Sequence, residues 1–180
     1  MITGGIGGGN TLTGLNFEEE TSLMSIFSKL KDYSVSKADI GQEILYKKET
    51  VAYSYRKHDL YRFLEYKGVN WREILSKKLL PDDALYIIAN NTLFIIEMKS
   101  QMVVGSVDEK LQTCDFKKKQ YKRLMAPLNI DVEYIYILNE WFRKPEYKDV
   151  LDYIISVDCQ YYFNYIPLKK LGLPVPEDSE

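Results

Sequence analysis

PDDALYIIANNTLFIIEMK, residues 81–99, decides how this chain folds. Residues 82–89 and 92–97 are apolar runs rich in Leu, Ile, Tyr and Phe, separated by Asn90-Asn91, a pair that tolerates the positive φ angles of a two-residue hairpin turn. The runs are therefore expected to pair, with Lys99 opposite Asp82 and Glu97 opposite Ala84. Side chains alternate between faces along a strand, so Asp82, Glu97 and Lys99 share one face and Asp83 falls on the other. An odd-length loop would undo that parity. Each half of the pattern is ordinary alone: Pro-Asp-Asp commonly opens turns, and Glu-x-Lys means little in a chain with 28% charged residues. The combination is not ordinary, because Leu93-Phe94-Ile95-Ile96 runs into Glu97 with no intervening turn residue. A charge ending a buried strand is costly unless it is paired or bound to metal.

Pro-Asp on one strand and Glu-x-Lys on the next resemble the PD-(D/E)XK nuclease superfamily. The resemblance covers residues 15–138. It implies an α/β (α+β) fold with a restriction-endonuclease-like core, a central mixed sheet flanked by helices. It also implies Mg²⁺ held by Asp82, Glu97 and the carbonyl of Met98, with Lys99 orienting the attacking water and offsetting charge on phosphorus. Two carboxylates, a carbonyl and waters suit that hard octahedral ion. Zinc is disfavoured, since His58 is the only histidine. Gln101, two residues past Lys99, stays on the active face if the strand continues, and Lys110 lies on the margin of the next helix. The first core helix of the family often adds an acidic residue, and the Gly-Leu-Asn-Phe-Glu context points to Glu18, with Glu19 behind it. The product implied is a 5′-phosphate.

Outward from the hairpin, the chain reads as one domain over residues 15–180, preceded by a flexible Gly-rich arm over residues 1–14. Gly4 to Thr11 approaches a phosphate-binding loop, but Asn10 stands where the lysine belongs, which rejects that reading. Asn16 and Glu19 have capping-box spacing, and Phe17, Met24, Phe27 and Leu30 mark a helix of about four turns. Its first turn would hold Glu18 to Glu20. Residues 42–55 suggest a strand pair or one long strand, and 59–64 and 70–75 short helices. Ser106 with Glu109 opens a helix whose apolar stripe is Val107, Leu111, Cys114, Tyr121 and Met125. Residues 130–138 read as a strand, 146–157 as a helix with Val150, Leu151, Ile154 and Ile155 inward, and 161–166 as a last strand. Cys114 and Cys159 lack metal-ligand spacing and read as packing residues. The absence of a membrane-length apolar run or secretory signal predicts a cytoplasmic protein without membrane contact.

A net charge of −2 argues against a general nucleic-acid binder, yet local charge differs from the total. Between Lys47 and Lys78, nine Lys or Arg face four acids, and residues 117–123 hold a second basic cluster. Arg56, Lys57, Arg62, Asn70 and Arg72, with Lys117, Lys118 and Lys119, are the candidate DNA contacts, Arg and Asn being able to read guanine and adenine edges. Taken whole, the chain resembles a small type II restriction endonuclease, which implies double-stranded DNA as substrate, a homodimer that cuts both strands, and a companion DNA methyltransferase. A junction-resolving or repair nuclease of the same superfamily and a catalytically silent DNA-binding module are the alternatives. The 15 tyrosines lack the Arg-His-Arg companions a tyrosine nucleophile needs.

Overall fold

The computed structural model describes residues 13–18 and 22–177. In chain order the elements are β1 (Gly14–Asn16), α1 (Leu23–Lys29), β2 (Tyr33–Lys37), β3 (Gln42–Tyr46), β4 (Glu49–Ser54), α2 (Asp59–Tyr66), β5 (Asp83–Ile87), β6 (Thr92–Lys99), α3 (Val107–Leu111), α4 (Cys114–Met125), β7 (Asp131–Leu138), α5 (Lys148–Ser156), β8 (Gln160–Phe163), β9 (Tyr165–Pro167) and α6 (Leu168–Leu171). Strands β2 to β8 form one mixed sheet in sequential order, and β1 pairs with β9 in a separate ribbon. Strands β2 to β6 run antiparallel, β4 and β5 being joined through α2 and the others by short turns; Lys47 and Lys48, both at positive φ, form the two-residue turn between β3 and β4. The crossovers through α3 and α4, and then through α5, return the chain so that β6, β7 and β8 run parallel. The architecture is thus α+β, a mixed seven-stranded sheet flanked by helices, as the sequence predicts.

Each face of the sheet carries its own core. Ala84, Leu93, Ile95, Tyr134 and Tyr136 face α2, α4 and α5, while Leu85, Ile87, Phe94, Ile96, Ile135 and Ile137 face α1, α6 and the β1–β9 ribbon. Continuous apolar runs in β6 and β7 follow from burial on both sides. Each fully buried side chain there contributes about 1.5–3 kcal/mol.

The hairpin forms, in a register two residues from the expected one. Ile87 pairs with Thr92 and Asp83 with Ile96, so the turn holds four residues and Asp82 lies across from Glu97 rather than Lys99. The asparagines explain the difference. Asn90 Nδ2 donates to the Leu171 carbonyl and Asn91 Nδ2 to that of Asn129, tying the loop to α6 and the approach to β7. Four is still even, so Asp82, Glu97 and Lys99 keep their common face.

Other expectations need correction. Asn16 Oδ1 accepts from the Glu18 N–H in a local turn and caps no helix; α1 starts at Leu23 behind Ser22, whose Oγ accepts from the Ser25 N–H. Glu18 therefore lies outside any helix, and Glu19 lies outside the described residues. Residues 1–12 of the expected arm are also outside them, but Gly14 belongs to β1, where a Cβ would collide with the Tyr165 ring. Ser106 does precede α3, without a side-chain cap, and the helix breaks at Gln112-Thr113. Ile155 is exposed, not inward, and the expected last strand divides at Asn164, φ 53°, into β8 and β9. Strand β2 escaped the sequence reading altogether. Its alternation in Tyr33-Ser34-Val35-Ser36-Lys37 was the available signal.

Candidate active site

Strand β6 outlasts β5: the ladder between them ends at Ile96, and Glu97 to Lys99 continue beside β7 alone. That overhang puts Glu97 and Lys99 on the face covered by α4. Glu97 is only 5% exposed. Lys117 of α4 places Nζ 3.1 Å from both Glu97 oxygens, and Lys99 Nζ lies 3.2 Å from Oε2. A buried carboxylate is tolerable only with such partners. Tyr121, Tyr134 and Tyr136 surround it; burial first, and then the negative charge of Glu97, push all three phenols well above their usual range. The charge of Asp82 also acts on Tyr121.

Asp82 is different in kind. Its side chain is 45% exposed, and Lys57 Nζ donates to Oδ1 at 3.0 Å. Arg56 Nε donates to the Asp82 carbonyl at 3.0 Å. On the opposite face Asp83 is buried; Arg56 Nε approaches its Oδ1 to 3.2 Å, but with its N–H aimed at Asp82, and this oxygen accepts no hydrogen bond. Burial pushes the Asp83 carboxyl up to about 6, against the lowering effect of Arg56.

The sequence reads Lys117 as a DNA contact, and the structure brings it into the carboxylate site. The signal was present. Lys117 stands three residues after Cys114 and four before Tyr121, both on the inward stripe of α4, so it shares their face. Lys118 is buried and unavailable to DNA: its Nζ donates to Glu133 Oε2, to Asp158 Oδ2 and to the Asp158 carbonyl. Burial opposes its charge, but Asp158 and Glu133 raise its pKa. Lys118→Met is expected to lose about 1–3 kcal/mol of stability in urea denaturation while leaving DNA affinity unchanged. Lys119 pairs with Asp115 on the exposed side of α4.

Gln101 does not stay on the active face, because β6 ends at Lys99. It is buried instead, Nε2 donating to the Val103 carbonyl at 2.7 Å, and its backbone exchanges hydrogen bonds with the Asn139 side chain. Gln101 thus pins a loop whose apolar tip, Met102 to Val104, stands in solvent beside the site. Glu18 is exposed, and among the described residues no hydrogen bond or ion pair joins its carboxylate to Asp82, Glu97 or Lys99. Lys110 points to solvent, contributing only its carbonyl to Thr113 and Tyr136.

The remaining basic residues divide into two groups. Arg56, Lys57 and Arg62, with Lys37, His58, Asp39 and Asp59, line a hollow of about 760 Å³, Arg62 paired with Asp59, and Arg56 and Lys57 bond to Asp82 at its edge. Asn70 and Arg72 lie past the far end of α2, Asn70 bonded to Glu73, and Arg72 to Glu65 while stacked 4.5 Å from the Trp71 ring. The structure does not bring these two to the site.

Among the described residues no group of three or more His, Cys, Asp or Glu converges on one point. The oxygen donors at the overhang are Asp82, Glu97 and the Met98 carbonyl, which the ended β5 ladder leaves unpaired on that side. The Met98 side chain packs into the opposite core. Two carboxylates and one carbonyl fit a partly hydrated Mg²⁺. Without a cation, the amines of Lys57, Lys99 and Lys117 neutralise them. No protein-family profile, curated protein or solved structure matches the chain.

Proposed function

We propose that this protein is a Mg²⁺-dependent, sequence-specific double-stranded DNA endonuclease of the PD-(D/E)XK type, resembling a type II restriction enzyme and working as a homodimer beside a companion DNA methyltransferase. The observation that carries the reading is Glu97, buried at a strand overhang with Lys99 at 3.2 Å and with Asp82 on the same sheet face. A surface salt bridge at a strand exit has no need of that burial or of a second lysine.

In this reading Asp82, Glu97 and the Met98 carbonyl hold the ion, which when bound supplies positive charge to a phosphate oxygen and acidity to a water. Lys99 orients that water and donates to the phosphate as charge builds. Lys117 supplies a second ammonium facing the same carboxylate. The water oxygen forms a bond to phosphorus as the P–O3′ bond breaks, leaving a 5′-phosphate and a 3′-hydroxyl. Arg56, Lys57 and Arg62 offer the neighbouring hollow a positive lining for the strand backbone.

Long duplex DNA incubated with the protein and Mg²⁺ is the test. Discrete fragments, abolished by chelator, are expected. Nicking confined to branched or damaged DNA would move the protein to the junction-resolving or repair class, and intact DNA would leave only a silent binding module.

A further inference from the structure

The basic hollow beside Asp82 continues into a second one of about 710 Å³; the two share Lys37, Ala38 and Asp39. Their characters differ. The second is floored by sheet residues Tyr53 and Tyr86, neighbours across β4 and β5, and walled by Phe63, Tyr66 and Lys67 at the end of α2. Its rings are organised for stacking. Tyr53 lies parallel to Tyr55 within 5° at 6.1 Å, and Tyr55 stacks on Phe63 at 4.4 Å, so Tyr53 ends a three-ring stack inside the hollow. Tyr66 is 76% exposed, with Lys67 Nζ 5.8 Å from its ring centre.

Tyr55 and Phe63 are buried and Tyr53 is partly exposed, so a backed ring at the end of a stack offers a platform for a flat heterocycle, and stacking between bases and aromatic side chains accepts any base. The acidic groups argue in the same direction. Glu43 lines this hollow and not the basic one, oriented by Ser36 and Thr50, while Asp39 is common to both. Carboxylates repel phosphate and accept from exocyclic amino groups, so they favour a base over a backbone. The phosphate-compatible lining lies nearer Asp82. Tyr86 is four residues along β5 from Asp82, about 13 Å, which is the length of about four stacked nucleotides.

We propose that the aromatic hollow is a stacking subsite for an unpaired base of a DNA strand whose phosphates follow the basic hollow from Asp82. The polarity of this groove rests on the endonuclease reading, but the stacking itself does not. The substrate is then DNA with a displaced, single-stranded or flipped nucleotide on one side of the cut. A base read in this hollow is out of its duplex, at the cost of unstacking.

The test uses full-length Lys99→Ala protein in Mg²⁺ and a duplex with a single-stranded tail carrying 2-aminopurine at successive positions. Quenching of 2-aminopurine at a defined tail position is expected, with tighter binding to tailed than to blunt duplex. Tyr53→Leu should relieve the quench and weaken tailed-duplex binding about tenfold without changing blunt-duplex binding. The exposed Tyr66→Ala reports on the same site without disturbing the core. Equal binding of both duplexes, with no quench at any position, overturns the subsite. Wild-type protein that cuts no DNA yet quenches the tail through Tyr53 overturns the endonuclease reading and leaves the subsite standing. Wild-type protein that cuts duplex without quenching does the reverse.

Discussion

Glu97→Ala and Lys99→Ala should each reduce DNA cleavage at least about a thousandfold in single-turnover assays, while Asp83→Asn stays within about threefold of wild type. Glu97 is the buried centre of the site, and both of its oxygens are engaged by Lys117 while Lys99 approaches one of them. Its truncation removes a metal ligand in the proposed mechanism and leaves two ammonium groups facing a cavity. Lys99→Ala removes the only amine on the same strand as Glu97 and on its face. Asp83 belongs to the other face by alternation, with its neighbours Leu85 and Ile87 in the opposite core. An inactive Asp83→Asn variant alongside an active Asp82→Asn variant would show that the hairpin presents the wrong aspartate to the site. Glu97→Gln keeps the side-chain volume and separates a chemical loss from a packing loss. Circular dichroism of each variant confirms that the comparison is between folded proteins.

Asp83→Asn should also stabilise the protein, and the gain should grow with pH. Burial raises the Asp83 carboxyl from 3.8 to about 6 in the folded chain. Between those values the native state binds more protons than the unfolded state, so wild-type stability falls as pH rises through the window. The full penalty is about 3 kcal/mol, present above pH about 6 and absent below pH about 4. The amide carries no charge to desolvate. The value of about 6 already includes the lowering by Arg56, so the penalty stands net of that attraction. Urea denaturation should show the advantage of Asp83→Asn increasing by on the order of 1 kcal/mol between pH 5 and pH 8. A difference that does not change with pH would mean that Asp83 is ionised throughout, with Arg56 and water compensating its burial.

The sequence by itself determined the two strands of the hairpin, their antiparallel pairing and the common face of Asp82, Glu97 and Lys99. These follow from period-two alternation and an even-numbered turn, both local properties of the chain. They survive a register change of two residues, so the common face was secure even where the turn was misread. The helical stretch after Ser106 and the strand over residues 130–138 were legible from apolar spacing, but the break at Gln112-Thr113 and the parallel direction of β7 were not.

Only the tertiary structure decided which charges meet. The four-residue turn depends on Leu171 and Asn129, remote partners that capture the asparagine side chains. Lys117, Lys118 and Lys119 look alike in sequence, yet one binds the buried Glu97 carboxylate, one is buried against Asp158 and Glu133, and one pairs on the surface. Their positions around the helix, set against β7 and β8, make that division. Gln101 left the active face because β6 stops at Lys99, where Asn139 captures the following backbone. The groove from Asp82 to Tyr53 joins residues from β2, β3, β4, β5 and α2, and no local spacing relates them. Alternation and helical period act over neighbouring residues and can be read along the chain, whereas burial, ion pairing and groove shape depend on which distant elements pack together.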